Sequence, residues 1–140
     1  MDAFRLHFDI DGGSFASAGN ASVEVKKTLR QLGVSNAVIR RCSIAMYEGE
    51  INMVIHADGG TADIEVYPDR IVMVLEDHGP GIPDVELAMK EGYSTATEQI
   101  HNMCFGAGMG LPNMKRYSDV FRVDSVVGQG TTIELGFENR

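Results

Sequence analysis

The chain has 140 residues, a length that predicts a single domain, and its 44% hydrophobic and 23% charged residues exclude a disordered chain. With 20 acidic against 12 basic residues, the formal net charge is −8, which disfavours a protein that binds nucleic acid. No apolar run reaches the roughly 18 residues of a membrane span, and the first residues lack the features of a signal peptide. We therefore expect no membrane contact. Cys42 and Cys104 lie far apart and form no metal-ligand pattern, so we expect a reduced, cytoplasmic protein.

The first half of the chain predicts one strand and two helices. Apolar and polar residues alternate from Phe4 to Ile10, which indicates a half-buried strand. A helical pattern then runs from about Asn20 to Leu32 and stops at Gly33. A second helix is expected from about Asn36 to Ala57, and the apolar residues on several of its sides predict that much of it is buried.

The middle of the chain predicts two strands and a short helix. Residues 63–66 alternate acidic and apolar side chains, as expected for a strand with one wet face. The apolar run Ile71–Leu75 predicts a central strand that is buried on both faces. A short helix is expected to begin at Asp84 and to end at Gly92.

The last third completes a β-α-α-β-β-(α)-loop-α-β-β order. Residues 93–105 predict an irregular polar segment, a longer helix is expected from Gly110 to before Asp119, and Gly128–Gly130 joins two final strands as a hairpin. Strands joined by hairpins pair antiparallel, so the helices must cover one face. We therefore predict an α/β two-layer sandwich with a mixed, mostly antiparallel sheet, formed as one domain by residues 1–140.

Three short glycine groups are candidates for ligand binding. They are Asp77–Gly81 at the end of a strand, Gly106–Gly110 at the start of a helix and Gly128–Thr132 in the last hairpin. The third group by itself is typical of a β-turn. The second is typical of a phosphate site, because backbone N–H groups at a helix N-terminus attract anions. No Lys-Ser or Lys-Thr follows Gly110, which excludes a Walker A loop.

Asp77 ends the apolar strand and allows two interpretations. Its carboxylate either caps its own turn or accepts a hydrogen bond from a ligand. Gly79 and Gly81 place no side chain beside it, so a flat ring could approach the backbone there. The segment by itself leaves both interpretations open.

Glu48 and Asn52 are spaced i, i+4 on the long central helix and therefore share one face. A solvated helix face is one explanation, and Glu50 points to a different side of the helix. A Glu and an Asn on one face also suit a Mg²⁺ site, because Mg²⁺ prefers oxygen ligands. A carboxylate at this place could orient or deprotonate a hydroxyl nucleophile.

These motifs, in this order, resemble the GHKL superfamily of ATP-binding domains, which includes gyrase, Hsp90, histidine kinases and the mismatch-repair protein MutL. The resemblance covers roughly residues 36–137. It is strongest to the bacterial anti-sigma-factor serine kinases and the related stress-response switch kinases. The segments that resemble the switch kinases most are Gly79–Asp84, Glu86–Met89, Gly92–Thr95 and Gly110–Pro112.

The resemblance implies a Bergerat-type ATP-binding fold with ATP and Mg²⁺ as ligands. Glu48 would be the general base, Asn52 would coordinate the Mg²⁺, and Asp77 would bind the adenine amino group. The resemblance also implies that six further residues contact the nucleotide: Gly79, Gly81, Gly106, Gly108, Gly110 and Thr131. Residues 93–105 would form a lid over the nucleotide.

Two features depart from the expected pattern. Gly49 lies inside the helix, where it costs about 1 kcal/mol relative to Ala, and we attribute it to close packing. No Lys or Arg lies between Lys90 and Lys115, so Lys115 and Arg116 are the nearest candidate cations for the γ-phosphate.

Three functions remain after this comparison. The first is a serine/threonine protein kinase that transfers the ATP γ-phosphoryl group to a small regulatory partner, either antagonist-like or a sigma factor. The second is a nucleotide-gated binding module that sequesters such a partner. The third is the ATP-binding part of a histidine kinase, which is disfavoured because no helical hairpin with a phosphoacceptor histidine is predicted. A gyrase or MutL role is also disfavoured, because no second domain is predicted. The sequence does not decide between a monomer and a homodimer.

Overall fold

A computed structural model describes residues 3–12, 18–57, 59–82, 89 and 110–139. The bounds of the strands and helices in these ranges are β1 Phe4–Asp11, α1 Asn20–Gln31, α2 Asn36–His56, β2 Gly59–Val66, β3 Arg70–Asp77, α3 Gly110–Tyr117, β4 Val120–Val126 and β5 Gly130–Glu138. Over these ranges the predicted order of strands and helices is confirmed. The short helix expected over 84–92 and the segment 93–105 fall on residues that are not described, Met89 excepted.

The strands form one sheet in the order β1-β2-β3-β5-β4, and each neighbouring pair is antiparallel. Helix α2 packs across the sheet, with α1 and α3 beside it on the same face. The predicted two-layer sandwich with helices on one face is therefore confirmed, and the sheet formed by the described strands is antiparallel throughout rather than mixed.

The residues that face the helices form rows across the sheet. The first row is Phe121, Leu135, Met73, Ile64 and Leu6, and the second is Val123, Ile133, Leu75, Ala62 and Phe8. Both rows belong to the hydrophobic core or pack against it. One step further along the strands, the row changes to Ser125, Thr131 and Asp77. The core thus ends in polar side chains at one end of the sheet.

The prediction that β3 is buried on both faces is wrong. Ile71 and Leu75 face the helices and are buried, whereas Val72 and Val74 are only half-buried on the opposite face. Exposed charged pairs such as Arg5 with Glu65 occupy that opposite face, and no described helix covers it. The valines there reflect the preference of β-branched residues for strands rather than double-sided burial.

Helix α1 is capped by a side chain from α2. Its N-cap residue, Gly19, has no side chain to offer. Instead the carboxylate of Glu50 accepts hydrogen bonds from the backbone N–H groups of Ala21 and Ser22 at 3.1 and 3.0 Å, and from the Ser22 hydroxyl at 2.7 Å. Glu50 is only 2% exposed, and its charge stabilises the positive end of α1. It lies, as expected, on a different side of α2 from Glu48.

Candidate functional site

Helix α3 packs antiparallel on the second half of α2. Gly110, at the start of α3, lies against the side chain of Asn52, and Asn113, one turn later, bonds to Glu48. Later residues of α3 thus meet earlier residues of α2. This packing brings three predicted site residues, Glu48, Asn52 and Gly110, to one place.

Two further features hold α2 in place, one against β3 and α3 and the other against the end of α3. A Cβ atom at Gly49 would overlap the side chain of Leu75 and would lie 3.5 Å from the sulfur of Met114, so the glycine permits close packing, as expected. At the other end of α3, the Arg41 guanidinium donates to the carbonyl oxygen of Tyr117 at 3.1 Å. A cation at the C-terminal end of a helix is electrostatically favourable.

Glu48 is half-buried, and its carboxylate has one partner among the described side chains. Burial raises the pKa of Glu48, and the hydrogen bond from Asn113 lowers this pKa by a smaller amount. The Asn113 Nδ2 donates to Glu48 Oε1 at 3.4 Å. Asn113 was not among the predicted site residues, although its i+3 spacing from Gly110 places both residues on one face of α3.

Asn52 lies directly beside the N-terminus of α3. A Cβ atom at Gly110 would be 2.9 Å from Asn52 Oδ1 and 3.0 Å from its Nδ2. An oxygen ligand next to a helix N-terminus fits a Mg²⁺ ion that keeps most of its coordination from phosphate and water. Among the described residues, no group of three or more His, Cys, Asp and Glu side chains is arranged to hold a metal. A metal here would therefore depend on Asn52 and on the nucleotide itself.

Asp77 caps its own turn, the first of the two interpretations that its sequence left open. Its Oδ1 accepts hydrogen bonds from the backbone N–H groups of Gly79 at 3.0 Å and Thr131 at 3.2 Å. Its Oδ2 makes no hydrogen bond within the described part of the chain. One oxygen therefore caps the turn, and a hydrogen bond from a ligand to the other stays a prediction.

Gly79 and Gly81 are both pressed against neighbouring backbone. A Cβ atom at Gly79 would lie 2.6 Å from the Cα of Ala57, just after α2. At Gly81, which has a φ of +79°, a Cβ atom would lie 2.6 Å from the carbonyl oxygen of Val126. Close packing of the protein is thus sufficient to require both glycines, and the space for a ligand ring beside Gly81 stays a prediction.

The predicted site residues form two groups along the second half of α2. The first group, which we call the phosphate end after its predicted ligand, contains Glu48, Asn52 and Gly110. The second, which we call the base end because adenine is predicted to bind there, contains Asp77, Gly79, Gly81 and Thr131. Ala57, which follows α2, connects the two because it touches Gly79. Gly106, Gly108 and the predicted lid over 93–105 lie outside the described residues.

The two cations expected near the γ-phosphate lie at the far end of α3. Lys115 and Arg116 are exposed in its last turn, whereas Gly110 begins the helix. Five or six residues correspond to about 8 Å along a helix axis. Their backbone is therefore distant from the proposed phosphate end.

Comparison with known sequences identifies the class of protein. Residues 34–140 match the family described as histidine kinase-, DNA gyrase B-, and HSP90-like ATPase. Because this match spans most of the chain, the chain belongs to that family of ATPases, and the predicted GHKL resemblance is confirmed.

Individual relatives narrow this class. The chain is 34% identical to the serine/threonine-protein kinase RsbT of Bacillus subtilis over 113 residues, which cover 78% of this chain and 79% of the relative. It is 29% identical to the anti-sigma F factor of Pasteuria penetrans over 122 residues, which cover 82% of this chain and 78% of that factor. The expected resemblance to anti-sigma factors and switch kinases is thereby confirmed.

Solved structures agree in fold. A Mycobacterium tuberculosis chain with RsbU and RsbW domains superposes with a TM-score of 0.66 and 16% identity, covering 98% of this chain and 33% of its own. The mycobacterial sensor histidine kinase MprB superposes with a TM-score of 0.56 and 18% identity, covering 98% of this chain and 99% of its own. No helix in the described ranges has the length and apolar character needed to cross a membrane.

Proposed function

We propose that residues 1–140 form one ATP-binding domain that acts as a serine/threonine protein kinase on a small regulatory protein, either antagonist-like or a sigma factor. The observation that carries this proposal is the packing of α3 on α2. In this packing the half-buried carboxyl group of Glu48 and the carboxamide of Asn52 lie beside the first turn of α3, which supports the proposed roles of base and metal ligand. A base, a metal ligand and a phosphate site are what phosphoryl transfer to a hydroxyl requires.

At the base end, Asp77 Oδ2 would accept a hydrogen bond from the adenine amino group, and Thr131 would contact the ring. Guanine presents a carbonyl oxygen where adenine has its amino group, so GTP would place an acceptor against the carboxylate. We expect ATP to bind with a Kd of about 1 µM, which is about −8 kcal/mol. Calorimetry with ATP, ADP and GTP measures this preference, and equal affinity for GTP would contradict the role of Asp77.

At the phosphate end, the N–H groups at the start of α3 would bind the phosphates, with Gly106 and Gly108 as further proposed donors. Asn52 would hold Mg²⁺ through Oδ1. The metal, when bound, supplies positive charge that offsets the charge of the phosphates. Gly110 leaves the Asn52 carboxamide in contact with the helix start, which a larger side chain would prevent.

In the transfer step, Glu48 would act on the hydroxyl of the acceptor Ser or Thr. Its carboxylate takes the hydroxyl proton while the oxygen forms a bond to the γ-phosphorus. The bond between the γ-phosphorus and the β,γ-bridging oxygen breaks, and ADP leaves with that electron pair. Because burial raises the pKa of Glu48, its carboxylate is a stronger base than an exposed one.

Glu48→Gln is the experiment that tests this proposal. The variant keeps the size of the side chain and an oxygen that can accept the hydrogen bond from Asn113, but it removes the base. We expect ATP affinity within about threefold of wild type, and transfer to a co-purifying partner reduced at least about 100-fold. Transfer by the variant at the wild-type rate would exclude Glu48 as the base.

A nucleotide-gated binding module is the second candidate, and the anti-sigma F factor relatives favour it. The distance of Lys115 and Arg116 from Gly110 is consistent with little transfer. In this case ATP would strengthen partner binding, wild type and Glu48→Gln would behave alike, and no phosphate would appear on the partner.

A further inference from the structure

Three polar side chains lie in one row across the ends of three strands. Ser125 of β4 is directly opposite Thr131 of β5, and Thr131 is directly opposite Asp77 of β3. Residues opposite each other in antiparallel strands point to the same face of the sheet. The row continues the two apolar rows of the core and brings Ser125, which no motif singled out, beside the base end.

The hydroxyl of Ser125 is in contact with three separate groups. It accepts a hydrogen bond from the backbone N–H of Ile82 at 2.7 Å, lies 2.8 Å from Thr131 Oγ1, and lies 3.3 Å from the carbonyl oxygen of Gly130 as a donor. Ile82 belongs to the loop that follows Asp77. Ser125 therefore ties this loop to the hairpin between β4 and β5.

Two routes connect Ser125 to the carboxylate of Asp77. In the first, Gly130 and Thr131 share one peptide unit, whose carbonyl oxygen contacts Ser125 and whose N–H donates to Asp77 Oδ1. In the second, the loop held at Ile82 also carries Gly79, whose N–H donates to the same Oδ1. Both hydrogen bonds that orient Asp77 thus depend on backbone that Ser125 holds.

We propose that Ser125 is a positioning residue for base recognition, which holds Asp77 Oδ2 and Thr131 Oγ1 in one fixed arrangement. This inference rests on the proposed binding of ATP with adenine at the base end. Ser125 itself does not touch the base. The two hydroxyl groups have two hydrogen-bond arrangements. When Ser125 donates to Thr131, the Thr131 hydroxyl can donate to a ring nitrogen of the ligand. When Ser125 donates to the carbonyl oxygen of Gly130, the Thr131 hydroxyl donates to Ser125.

The test compares ATP with purine riboside triphosphate, which lacks the amino group that Asp77 would bind. Calorimetry gives the affinity ratio of the two nucleotides for each variant. We expect wild type to prefer ATP about 10-fold or more, since a hydrogen bond to a charged group is lost with the analogue. In Ser125→Ala we expect the ratio to fall to about threefold or less, because Oδ2 is no longer held in place.

Thr132→Val is the matched control. This variant also removes the hydroxyl group of a strand residue. Thr132, however, lies opposite Glu76 and Asp124 and points to the other face of the sheet. We expect it to keep the wild-type ratio. If Ser125→Ala does not fold, Ser125→Cys, whose thiol is a weak hydrogen-bonding group, serves in the same comparison.

The outcomes separate this inference from the proposed function. A Ser125 variant that weakens both nucleotides equally and keeps the ratio would overturn the inference and leave ATP binding intact, because a purely structural defect acts on both ligands. A wild-type ratio of one would overturn both the role of Asp77 and this inference. A wild-type protein that binds neither nucleotide would contradict the proposed function itself.

Discussion

The base end and the phosphate end of the candidate site are held in different ways. At the base end, Asp77 is fixed by two backbone N–H groups at 3.0 and 3.2 Å, and these groups belong to the sheet and its connecting loop. At the phosphate end, Glu48 has one hydrogen bond to the described residues, of 3.4 Å, from a side chain on another helix. The base end is built from backbone, whereas the phosphate end depends on where α3 lies.

In the proposed function, this difference separates nucleotide recognition at the base end from phosphoryl transfer at the phosphate end. A group that is fixed before the ligand arrives costs little entropy on binding, so the base end is suited to affinity and selectivity. A group whose surroundings depend on helix packing changes its proton affinity and metal binding when that packing changes. We therefore expect substitutions at the base end to alter nucleotide affinity, and substitutions at the phosphate end to alter metal dependence, pH dependence and transfer.

The largest expected effect on nucleotide affinity follows from Asp77→Asn. The amide oxygen can still accept the hydrogen bonds from Gly79 and Thr131, but the amide NH₂ then faces the adenine amino group, another donor. We expect ATP affinity to fall by about 10- to 100-fold, the effect of leaving a polar group unpaired. Calorimetry measures the loss, and an unchanged melting temperature shows that the fold is intact. A variant that binds ATP like wild type would mean that the base end does not recognise adenine.

Gly110→Ala tests the contact between α3 and Asn52. The added methyl group would lie 2.9 Å from Asn52 Oδ1, so the carboxamide must rotate away while the backbone stays in place. We expect the increase in ATP affinity caused by Mg²⁺ to fall about 10-fold, the typical effect of disturbing the surroundings of a metal ligand. The measurement is ATP affinity in Mg²⁺ and in EDTA.

Asn52→Ala is the companion of that experiment. It removes the oxygen ligand itself and is expected to abolish the difference between Mg²⁺ and EDTA, while binding in EDTA remains. If Asn52→Ala keeps the full wild-type difference, the metal is not held at Asn52. If Gly110→Ala keeps it, the contact with Gly110 does not position the carboxamide.

Asn113→Leu tests the proton affinity at the phosphate end. Burial raises the pKa of Glu48 and the hydrogen bond from Asn113 opposes this, so the variant should raise the pKa of Glu48 further. A general base works only as the carboxylate, so transfer is lost as the pH falls through this pKa. The acid side of the pH–rate profile should therefore move to higher pH in the variant. A profile that superposes on that of wild type would show that Asn113 does not control Glu48.

The smallest expected effect is on stability and compares two carboxylates on α2. Since the pKa of Glu48 in the folded protein is above its ordinary value of 4.5, folding favours the protonated form, and stability is lost as the pH rises above about 4.5. Glu48→Gln should thus raise the melting temperature at pH 7 by a few degrees and change it little at pH 4.

Glu50→Gln should have the opposite sign. Its carboxylate accepts three hydrogen bonds from α1, so the neutral amide should lower the melting temperature at pH 7. Thermal unfolding of both variants at the two pH values makes the comparison. Equal shifts of the same sign would contradict the difference in surroundings, in which burial disfavours the charge of Glu48 and hydrogen bonds stabilise that of Glu50.

Local sequence pattern was sufficient for the order of strands and helices. Each of these signals depends on residues that are close together in the sequence. Examples are the alternation of Phe4–Ile10, the helix stop at Gly33 and the β-turn at Gly128–Gly130. The i, i+4 spacing of Glu48 and Asn52 placed them on one face for the same reason. The ordered motifs also identified the family, because the spacing of site residues along one fold is retained in the sequence.

Only the tertiary structure decided which further side chains contact the predicted site residues. Asn113 meets Glu48 across 65 residues of chain, and Ser125 meets Ile82 across 43. Hydrophobic periodicity reports which side of a helix or strand is apolar, but it does not report which polar group from another element lies opposite. The same limit explains why Glu50 could not be recognised as a buried cap of α1 and why Val72 and Val74 were expected to be buried. Those features depend on which layer covers each face, and that is settled only when the helices pack on the sheet.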